Sequence, residues 1–265
     1  MGEKMTERGE WALTIAKEAG EFTLGFFDDP GLRVDRKKDG TPVTLADRGA
    51  EELLRRRIAE RFPDDAILGE EMPDRAGSSG YKWILDPIDG TKSFIHGVPL
   101  YSTLVGIEKD GKPFAGVIAI PALGKGIYAE TGEGAYEWDK DGVTRPARVS
   151  RTARLEDALF LTSEVKTFTE TGRFELYREM ENRCRLARTW GDAYGYYMAA
   201  TGRADLMIDP ELSPWDAGPL STILAEAGGV FADWSGCETI YGGDGLACNR
   251  LLFDRVVEMT KEYKK

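Results

Sequence analysis

The chain has 265 residues, of which 42% are hydrophobic and 31% are charged, as expected for a folded globular protein with a substantial core. A net charge of −11 without a basic stripe argues against binding of nucleic acid or anionic lipid. Three irregularly spaced cysteines and a single histidine, His96, argue against a zinc site. The polar start and the lack of an apolar run near about 20 residues predict a cytoplasmic protein without a membrane span.

The first part of the chain predicts two amphipathic helices joined by a loop. Apolar residues spaced by three or four positions predict helices over about residues 6–27 and 44–62. Thr44 followed by Asp47 is typical of a capping box at the start of the second helix. The turn-rich, basic stretch between the two helices predicts a mobile loop.

The remaining sequence predicts two sheets with a boundary near residue 150. Between residues 66 and 149, short β-rich runs punctuated by Gly, Pro and Asp predict a mostly antiparallel sheet, with a flexible loop at 74–80. Helices and strands then alternate. The segment SPWDAGPLSTILAEAGG predicts one helix, capped by Ser213 and ended by Gly228. The overall prediction is two α+β layers around two sheets.

The segment WILDPIDGT carries the strongest chemical signal. Its apolar strand delivers Asp86 to a sheet edge, Pro87 forces a turn, and Gly90 permits close approach of the backbone. Residues from Thr91 onward could begin a helix whose free N–H groups bind phosphate. Asp86 and Asp89 would repel each other, and a divalent cation removes that repulsion. The alternative, an Asp-rich turn that only caps a helix, fits the apolar strand poorly.

The other acidic positions are weaker signals when each is considered alone. AILGEE delivers Glu70 and Glu71 to the end of an apolar strand, but exposed Glu pairs are common. Asp216 lies in the first turn of a predicted helix, and Asp47 follows Thr44, so capping alone would explain both aspartates. GKGIYA at 124–129 matches a dinucleotide fingerprint, but a hairpin turn explains it better.

Taken in order, VTLAD, GEE, DPIDGTKSF and PWDAG resemble the inositol monophosphatase family, a group of lithium-sensitive, metal-dependent phosphatases. The resemblance covers nearly the whole chain. It implies the layered αβαβα form of the α+β class that fructose-1,6-bisphosphatase also has, with two sheets, and it implies a homodimer. Residues 1–149 would form an α+β half with most metal ligands, and residues 150–265 an α/β half that supplies Asp216 and substrate contacts.

The same resemblance implies two or three Mg²⁺ ions in each active site. A third, looser ion would be held by Glu70 and waters. Only hard oxygen ligands are offered, which suits Mg²⁺ and argues against zinc. The expected ligands are Glu70, Asp86 and the carbonyl of Ile88 for one ion, and Asp86, Asp89 and Asp216 for a second.

The resemblance also implies how water and phosphate are held. The hydroxyl of Thr91, oriented by Asp47, would position the attacking water. The N–H groups of Gly90 and Thr91 would hold the phosphate. Either Lys37 or Lys38 would be the lysine of a mobile loop, and Lys37 is favoured.

Within the family, the phrases DGTPVTLAD and TWGDAYGYYMAATGRADLMIDP most resemble the histidinol-phosphate phosphatase subgroup. Asp192 lies in GDAYG, where inositol-type members resemble GSA, although a helix N-cap would also explain it. Asp209, seven residues before Asp216, occupies the place of a substrate-contacting carboxylate. The expected partner is a small phosphate monoester, and inositol monophosphate or other sugar phosphates are alternatives to histidinol phosphate.

Two rival functions remain open at this point. Haloacid dehalogenase phosphatases use D-x-D-G-T, whereas the spacing here is D-x-x-D-G-T, so the aspartates are better suited to metal binding than to nucleophilic attack. A non-catalytic metal-binding protein of the same fold is the other alternative. The intact set of expected ligands argues against it.

Overall fold

A computed structural model describes residues 5–37 and 40–264, so Lys38 lies outside the described residues. Helices α1 (Glu7–Leu24) and α2 (Leu45–Arg61) confirm the two predicted helices. The capping box is also present at the start of α2. The segment predicted as a mobile loop instead holds an antiparallel hairpin of β1 (Val34–Arg36) and β2 (Pro42–Thr44). Burial of a β-branched side chain, Val43, favours this extended pairing.

The first sheet has seven strands in sequential order. The first strand pairs in parallel with the second and all later pairs are antiparallel, which confirms the mostly antiparallel prediction. Ile67 also bridges to Arg75, within the tract predicted as a loop. The strands are β3 (Ala66–Gly69), β4 (Tyr81–Asp89), β5 (Ser102–Lys109), β6 (Lys112–Ile120), β7 (Lys125–Glu130), β8 (Gly134–Trp138) and β9 (Thr144–Pro146). A short helix, α3 (Thr91–Ile95), follows β4.

The second sheet has five strands in the order β11-β10-β12-β14-β13, with parallel and antiparallel pairs. Its strands are β10 (Leu159–Leu161), β11 (Leu186–Arg188), β12 (Leu206–Asp209), β13 (Gly229–Ala232) and β14 (Gly245–Asn249). The accompanying helices are α4 (Val165–Glu170), α5 (Phe174–Arg183), α6 (Ala193–Ala200), α7 (Pro214–Ala217), α8 (Leu220–Glu226) and α9 (Phe253–Thr260).

The single helix predicted after Ser213 is in fact two helices, α7 and α8, separated at Gly218 and Pro219. Pro219 has no N–H to continue the helical hydrogen bonds and restricts the residue before it. Gly218 packs directly on Ile84, because a Cβ at this position would lie 2.7 Å from that side chain. The break therefore lets α7 carry Asp216 to the end of β4 while α8 packs between the sheets.

The helices and sheets stack in five layers, which confirms the αβαβα expectation. Helices α1 and α2 cover one face of the first sheet, and α6 and α8 lie between the two sheets. Helices α5 and α9 cover the outer face of the second sheet. The core between the sheets contains side chains from both sides of residue 150, for example Leu104 and Leu224. The division into two halves at that residue stays a prediction.

None of the helices in the described ranges is both long enough and apolar enough to cross a membrane.

Candidate active site

Three aspartates from two distant parts of the chain converge on one cavity. Asp86 and Asp89 lie at the end of β4, and Asp216 lies on α7. The turn predicted at Pro87 is instead a bulge inside β4, because proline has no N–H to pair and the strand resumes its pairing at Asp89. Each offers a carboxylate oxygen, and these oxygens all lie within 4.8 Å of one another. Glu70, directly after β3, lines the same cavity of about 500 Å³. The structure thus brings together all four carboxylates predicted as metal ligands.

Each of the three aspartates has one oxygen fixed by a backbone N–H. The N–H of Ile88 donates to Asp86 Oδ1 at 3.0 Å. Those of Ala193 and Ser213 donate to Asp89 Oδ2 at 2.6 Å and to Asp216 Oδ2 at 2.8 Å. These bonds orient each carboxylate toward the cavity, as outer contacts commonly do for metal ligands. Capping and metal binding are therefore compatible roles for Asp216, because its second oxygen makes no contact with the cap.

Burial and crowding make this cluster electrostatically unfavourable without a cation. Burial, followed by the charges of neighbouring carboxylates, raises the pKa of Asp86 and Asp89 well above the usual value. Burial also raises the pKa of Asp216 to about 6. Asp86 is only 2% exposed and lies at hydrogen-bonding distance from both Glu70 and Asp216. Such a set of buried, hard oxygen donors fits a divalent cation such as Mg²⁺.

Lys37 supplies a positive charge at the edge of this cluster. Its Nζ lies 2.6 Å from Glu70 Oε1 and 2.6 Å from Glu71 Oε1. Burial alone would lower the pKa of Lys37, but the hydrogen bonds to both glutamates outweigh burial and raise it. Burial raises the pKa of Glu71 to about 7. The structure thus places Lys37, the favoured loop lysine, on the acidic site, and it also brings in Glu71.

Sequence reasoning missed the residue that holds the backbone of Glu71 in place. Glu51 on α2 is fully buried, and its carboxylate accepts the N–H groups of Glu71 at 2.7 Å and Met72 at 3.1 Å. Arg55 donates to the same carboxylate at 2.7 Å. A Glu–Arg pair four residues apart on a helix is common on protein surfaces. The spacing of Glu51 and Arg55 was therefore too common a pattern to indicate that Glu51 is buried.

The predicted pair that would orient water is also assembled. Asp47 Oδ2 accepts the N–H and the hydroxyl of Thr44, at 2.8 and 2.6 Å, which is the cap of α2. Its other oxygen faces Thr91, whose hydroxyl donates at 3.4 Å. The same hydroxyl lies 3.1 Å from the carbonyl oxygen of Ile88. One carboxylate thus serves the helix cap and Thr91 at once.

Gly90 makes the turn between β4 and α3. Its φ of +79° lies in the left-handed region that glycine adopts without strain. A Cβ on Gly90 would lie 2.7 Å from Asp192 Oδ2, so only a glycine lets Asp192 approach this turn. Gly90 and the start of α3 therefore line the cavity beside the Asp192 carboxylate, which precedes α6.

The two predicted substrate contacts, Asp192 and Asp209, occupy different environments. Asp192 lines the cavity and has an unusual φ of +46°. It occupies the N-cap position of α6, as the alternative expected, but its side chain makes no capping hydrogen bond. Burial, followed by the charge of Asp209, raises its pKa to about 6. Asp209 lies behind the residues that line the cavity and does not itself line it. It accepts hydrogen bonds from Thr162, Ser163 and Tyr196.

Ser163 links these two aspartates and was not expected from the sequence. Its hydroxyl accepts the N–H of Asp192 at 3.0 Å and donates to Asp209 Oδ2 at 3.0 Å. Two acidic residues of the lining, Glu164 and Glu211, were also missed. Glu211 lies in DPELSPWD, between Asp209 and Asp216, so its nearness to the expected site was the one available signal.

Comparisons with known proteins agree with this geometry. The model of the inositol monophosphatase family matches residues 4–265. The histidinol-phosphatase of Chlorobaculum parvum is 41% identical over 242 residues, which cover 91% of this chain and 92% of that protein. The fructose-1,6-bisphosphatase/inositol-1-monophosphatase of Thermotoga maritima is 36% identical, covering 97% and 96% of the two chains.

A solved structure shows the same architecture. The extragenic suppressor protein SuhB of Bartonella henselae superimposes with a TM-score of 0.88 at 27% identity, over 97% of this chain and 99% of that chain. The family match spans almost the whole sequence, and the curated relatives exceed 30% identity over most of their own length. The chain therefore belongs to the inositol monophosphatase family and is a phosphoric monoester hydrolase.

Proposed function

We propose that this enzyme uses Mg²⁺ to hydrolyse a small phosphate monoester, and that histidinol phosphate is its substrate. The observation that carries the reaction type is the buried cluster of Asp86, Asp89 and Asp216 beside Thr91. These carboxylates, with Glu70 and the carbonyl of Ile88, would hold two or three ions. When bound, Mg²⁺ supplies Lewis acidity and neutralises charge on the phosphate and the leaving oxygen.

The protein's own groups would then position the reactants. The N–H groups of Gly90 and Thr91 would hold phosphate oxygens at the start of α3. The hydroxyl of Thr91 donates to Asp47 and would orient the attacking water through its lone pairs. Lys37 would place a positive charge near the phosphate once the ions bind Glu70. Positioning and charge neutralisation account for most of the catalysis of phosphoryl transfer.

Two observations support the choice of substrate: the names of the curated relatives and one charged residue in the cavity lining. Curated relatives named histidinol-phosphatase reach 41% identity. Asp192 offers a negative charge that suits the amine or imidazole of histidinol phosphate. Sugar phosphates are the second candidate, because the Thermotoga maritima relative at 36% identity is named for two of them. A homodimer and a cytoplasmic location are further proposals that rest on the resemblance to the family.

A phosphate-release panel tests the substrate directly. The purified enzyme should release phosphate faster from histidinol phosphate than from inositol monophosphates, fructose bisphosphate and nucleotide 3′-phosphates. Preference for an inositol monophosphate would contradict histidinol phosphate as the substrate, while the assignment as a phosphatase would stand. No release from any of them would favour the non-catalytic alternative.

Removal of metal is expected to abolish activity, and Mg²⁺ or Mn²⁺ should restore it, whereas Li⁺ or Ca²⁺ should inhibit. Mg²⁺ should also raise Tm, and more at pH 8 than at pH 5.5. Lower pH protonates Asp216, whose pKa is about 6, as well as Asp86 and Asp89, so protons compete with the ion. Thermal unfolding with and without chelator at both pH values measures this. Full turnover after exhaustive chelation would contradict the metal mechanism.

Asp192→Asn is expected to lower kcat/KM for histidinol phosphate by roughly 10- to 100-fold, the range of one charge-assisted hydrogen bond. Asparagine has nearly the same size and shape as aspartate and carries the same Cβ, so it should keep the unusual backbone conformation of this position. The effect on p-nitrophenyl phosphate, which has no cationic group, should be much smaller. Steady-state kinetics with both substrates make the comparison. Equal losses for both would assign Asp192 a structural role.

A further inference from the structure

The cavity wall carries more negative charge than the metal ions require. Among the described residues that line the cavity, seven are carboxylates and one, Lys92, is a cation. Lys92 is paired with Glu164. Four of the carboxylates form the proposed metal site. Two remain, Asp192 and Glu211. Lys92 interacts electrostatically with Asp192, whereas Glu211 has no cationic side-chain partner in the described ranges.

These two carboxylates differ in their surroundings. Asp192 is packed against Gly90, at the turn that would hold the phosphate. Glu211 is exposed, and its side chain makes no hydrogen bond or ion pair within the described part of the chain. A negatively charged group on the cavity wall that no protein cation neutralises is available to a charged part of the substrate.

The backbone around Glu211 is fixed even though its side chain is free. Arg173, which is buried, donates to the carbonyl oxygen of Pro210. The N–H of Leu212 donates to the carbonyl oxygen of Gly243 at 3.1 Å, and the N–H of Ser213 donates to Asp216 at 2.8 Å. The segment is therefore anchored on both sides, and one of its anchors is a proposed metal ligand. The backbone position from which the Glu211 side chain projects is thus coupled to the metal site.

We propose that Glu211 is a specificity-determining residue that favours phosphate monoesters with a positively charged group, an alkylammonium or imidazolium, beyond the phosphate. This inference rests on the proposed function, because it concerns the substrate of the same site. The ions and the phosphate bind at the Asp86 end of the cavity, and a cation on the rest of the substrate would meet Glu211 on the wall. A neutral polyol would gain no such interaction.

The variant Glu211→Gln keeps the shape of the side chain and removes its charge. The measured quantity is the ratio of kcat/KM for a cationic monoester to that for a neutral one. Histidinol phosphate against inositol 1-phosphate is the first pair, and phosphoethanolamine against glycerol 2-phosphate is the second. We expect both ratios to fall by about 3- to 10-fold, between the effect of an exposed ion pair and that of a buried one. Glu238→Gln, at an exposed glutamate outside the cavity, should leave both ratios unchanged.

Salt provides a second readout that a structural effect would not produce. In the wild type, both ratios should decline as ionic strength rises, because exposed charges are screened, and in Glu211→Gln this dependence should be weaker. Unchanged ratios in the variant, or equal losses for cationic and neutral substrates, would overturn the inference. If the wild type prefers inositol 1-phosphate but the phosphoethanolamine ratio still falls in Glu211→Gln, the inference holds and the histidinol phosphate assignment fails.

Discussion

Asp86→Asn is expected to reduce kcat by about 10³-fold or more, because Asp86 is the carboxylate that the proposed site shares between two ions. The side chain is 2% exposed and lies at hydrogen-bonding distance from Glu70 and Asp216. Its Oδ1 accepts the N–H of Ile88 at 3.0 Å, and an asparagine oxygen can accept the same bond. The bulge at the end of β4 should therefore keep its shape while the site loses one negative charge. Kinetics at saturating Mg²⁺ measure the loss.

The same substitution should leave the metal-free protein at least as stable as the wild type at pH 7 to 8. Burial and neighbouring charges raise the pKa of Asp86 in the folded state, so the wild type loses stability as pH rises above the ordinary carboxyl pKa of about 4. Asparagine removes that loss, and the difference in Tm between the two proteins should shrink as pH falls toward 4. In addition, Mg²⁺ should raise the Tm of Asp86→Asn much less than that of the wild type.

Asp65→Asn is the matched control, since Asp65 is also buried but has cationic and polar partners. Burial alone would raise its pKa, but hydrogen bonds from Arg8, Ser79 and Trp83 outweigh burial and lower it. This substitution should therefore lower Tm and preserve the response to Mg²⁺. An Asp86→Asn protein that unfolds like Asp65→Asn, or that keeps wild-type turnover, would contradict the assignment of Asp86.

The convergence of the acidic side chains could be predicted from the sequence because local patterns determine most of it, while their role as metal ligands stays a prediction. The apolar run of β4 fixes where Asp86 lies, and the bulge at Pro87 carries the strand on to Asp89, all within one short segment. The capping box of Thr44 and Asp47 is likewise local. The open question for Asp47 and Asp216 was whether capping excludes a site role. The structure shows that one oxygen of each takes part in the cap and the other is directed elsewhere.

The features that were missed depend on contacts between distant segments. Strands β10 and β11 have three residues each, too few for an alternating pattern. They exist because β10 pairs with β12 on one side and with β11 on the other. The buried role of Glu51 arises only because the fold places the backbone of Glu71 against it. The free carboxylate of Glu211 is recognisable only once the cavity is formed. Sequence patterns do not record which charged groups remain unpaired after folding.

Thr91→Ala is expected to lower kcat by roughly 10²- to 10⁴-fold with a smaller change in KM, as for other groups that position a reacting proton or water. The hydroxyl of Thr91 lies 3.4 Å from Asp47 Oδ1 and 3.1 Å from the carbonyl oxygen of Ile88, so it joins the helix cap to the edge of the metal site. A water-orienting group acts mainly in the transition state, which is why kcat should respond more than KM. Thr91→Ser keeps the hydroxyl and should retain activity within about tenfold of the wild type on the same scale.

Thr44→Ala separates this role from an indirect effect through the cap of α2. Thr44 donates its hydroxyl to Asp47 Oδ2 at 2.6 Å and does not contact Thr91, so its loss weakens the cap and leaves the Asp47–Thr91 contact in place. Loss of a threonine cap typically costs about 1 kcal/mol of stability, so Tm should fall while kcat changes far less than in Thr91→Ala. If Thr91 orients water, kcat should depend on the Thr91 hydroxyl and hardly on the Thr44 cap. Equal losses of kcat in both variants would therefore mean that Thr91 acts by stabilising the start of α2. If Thr91→Ala turns over like the wild type, the attacking water is positioned by another group.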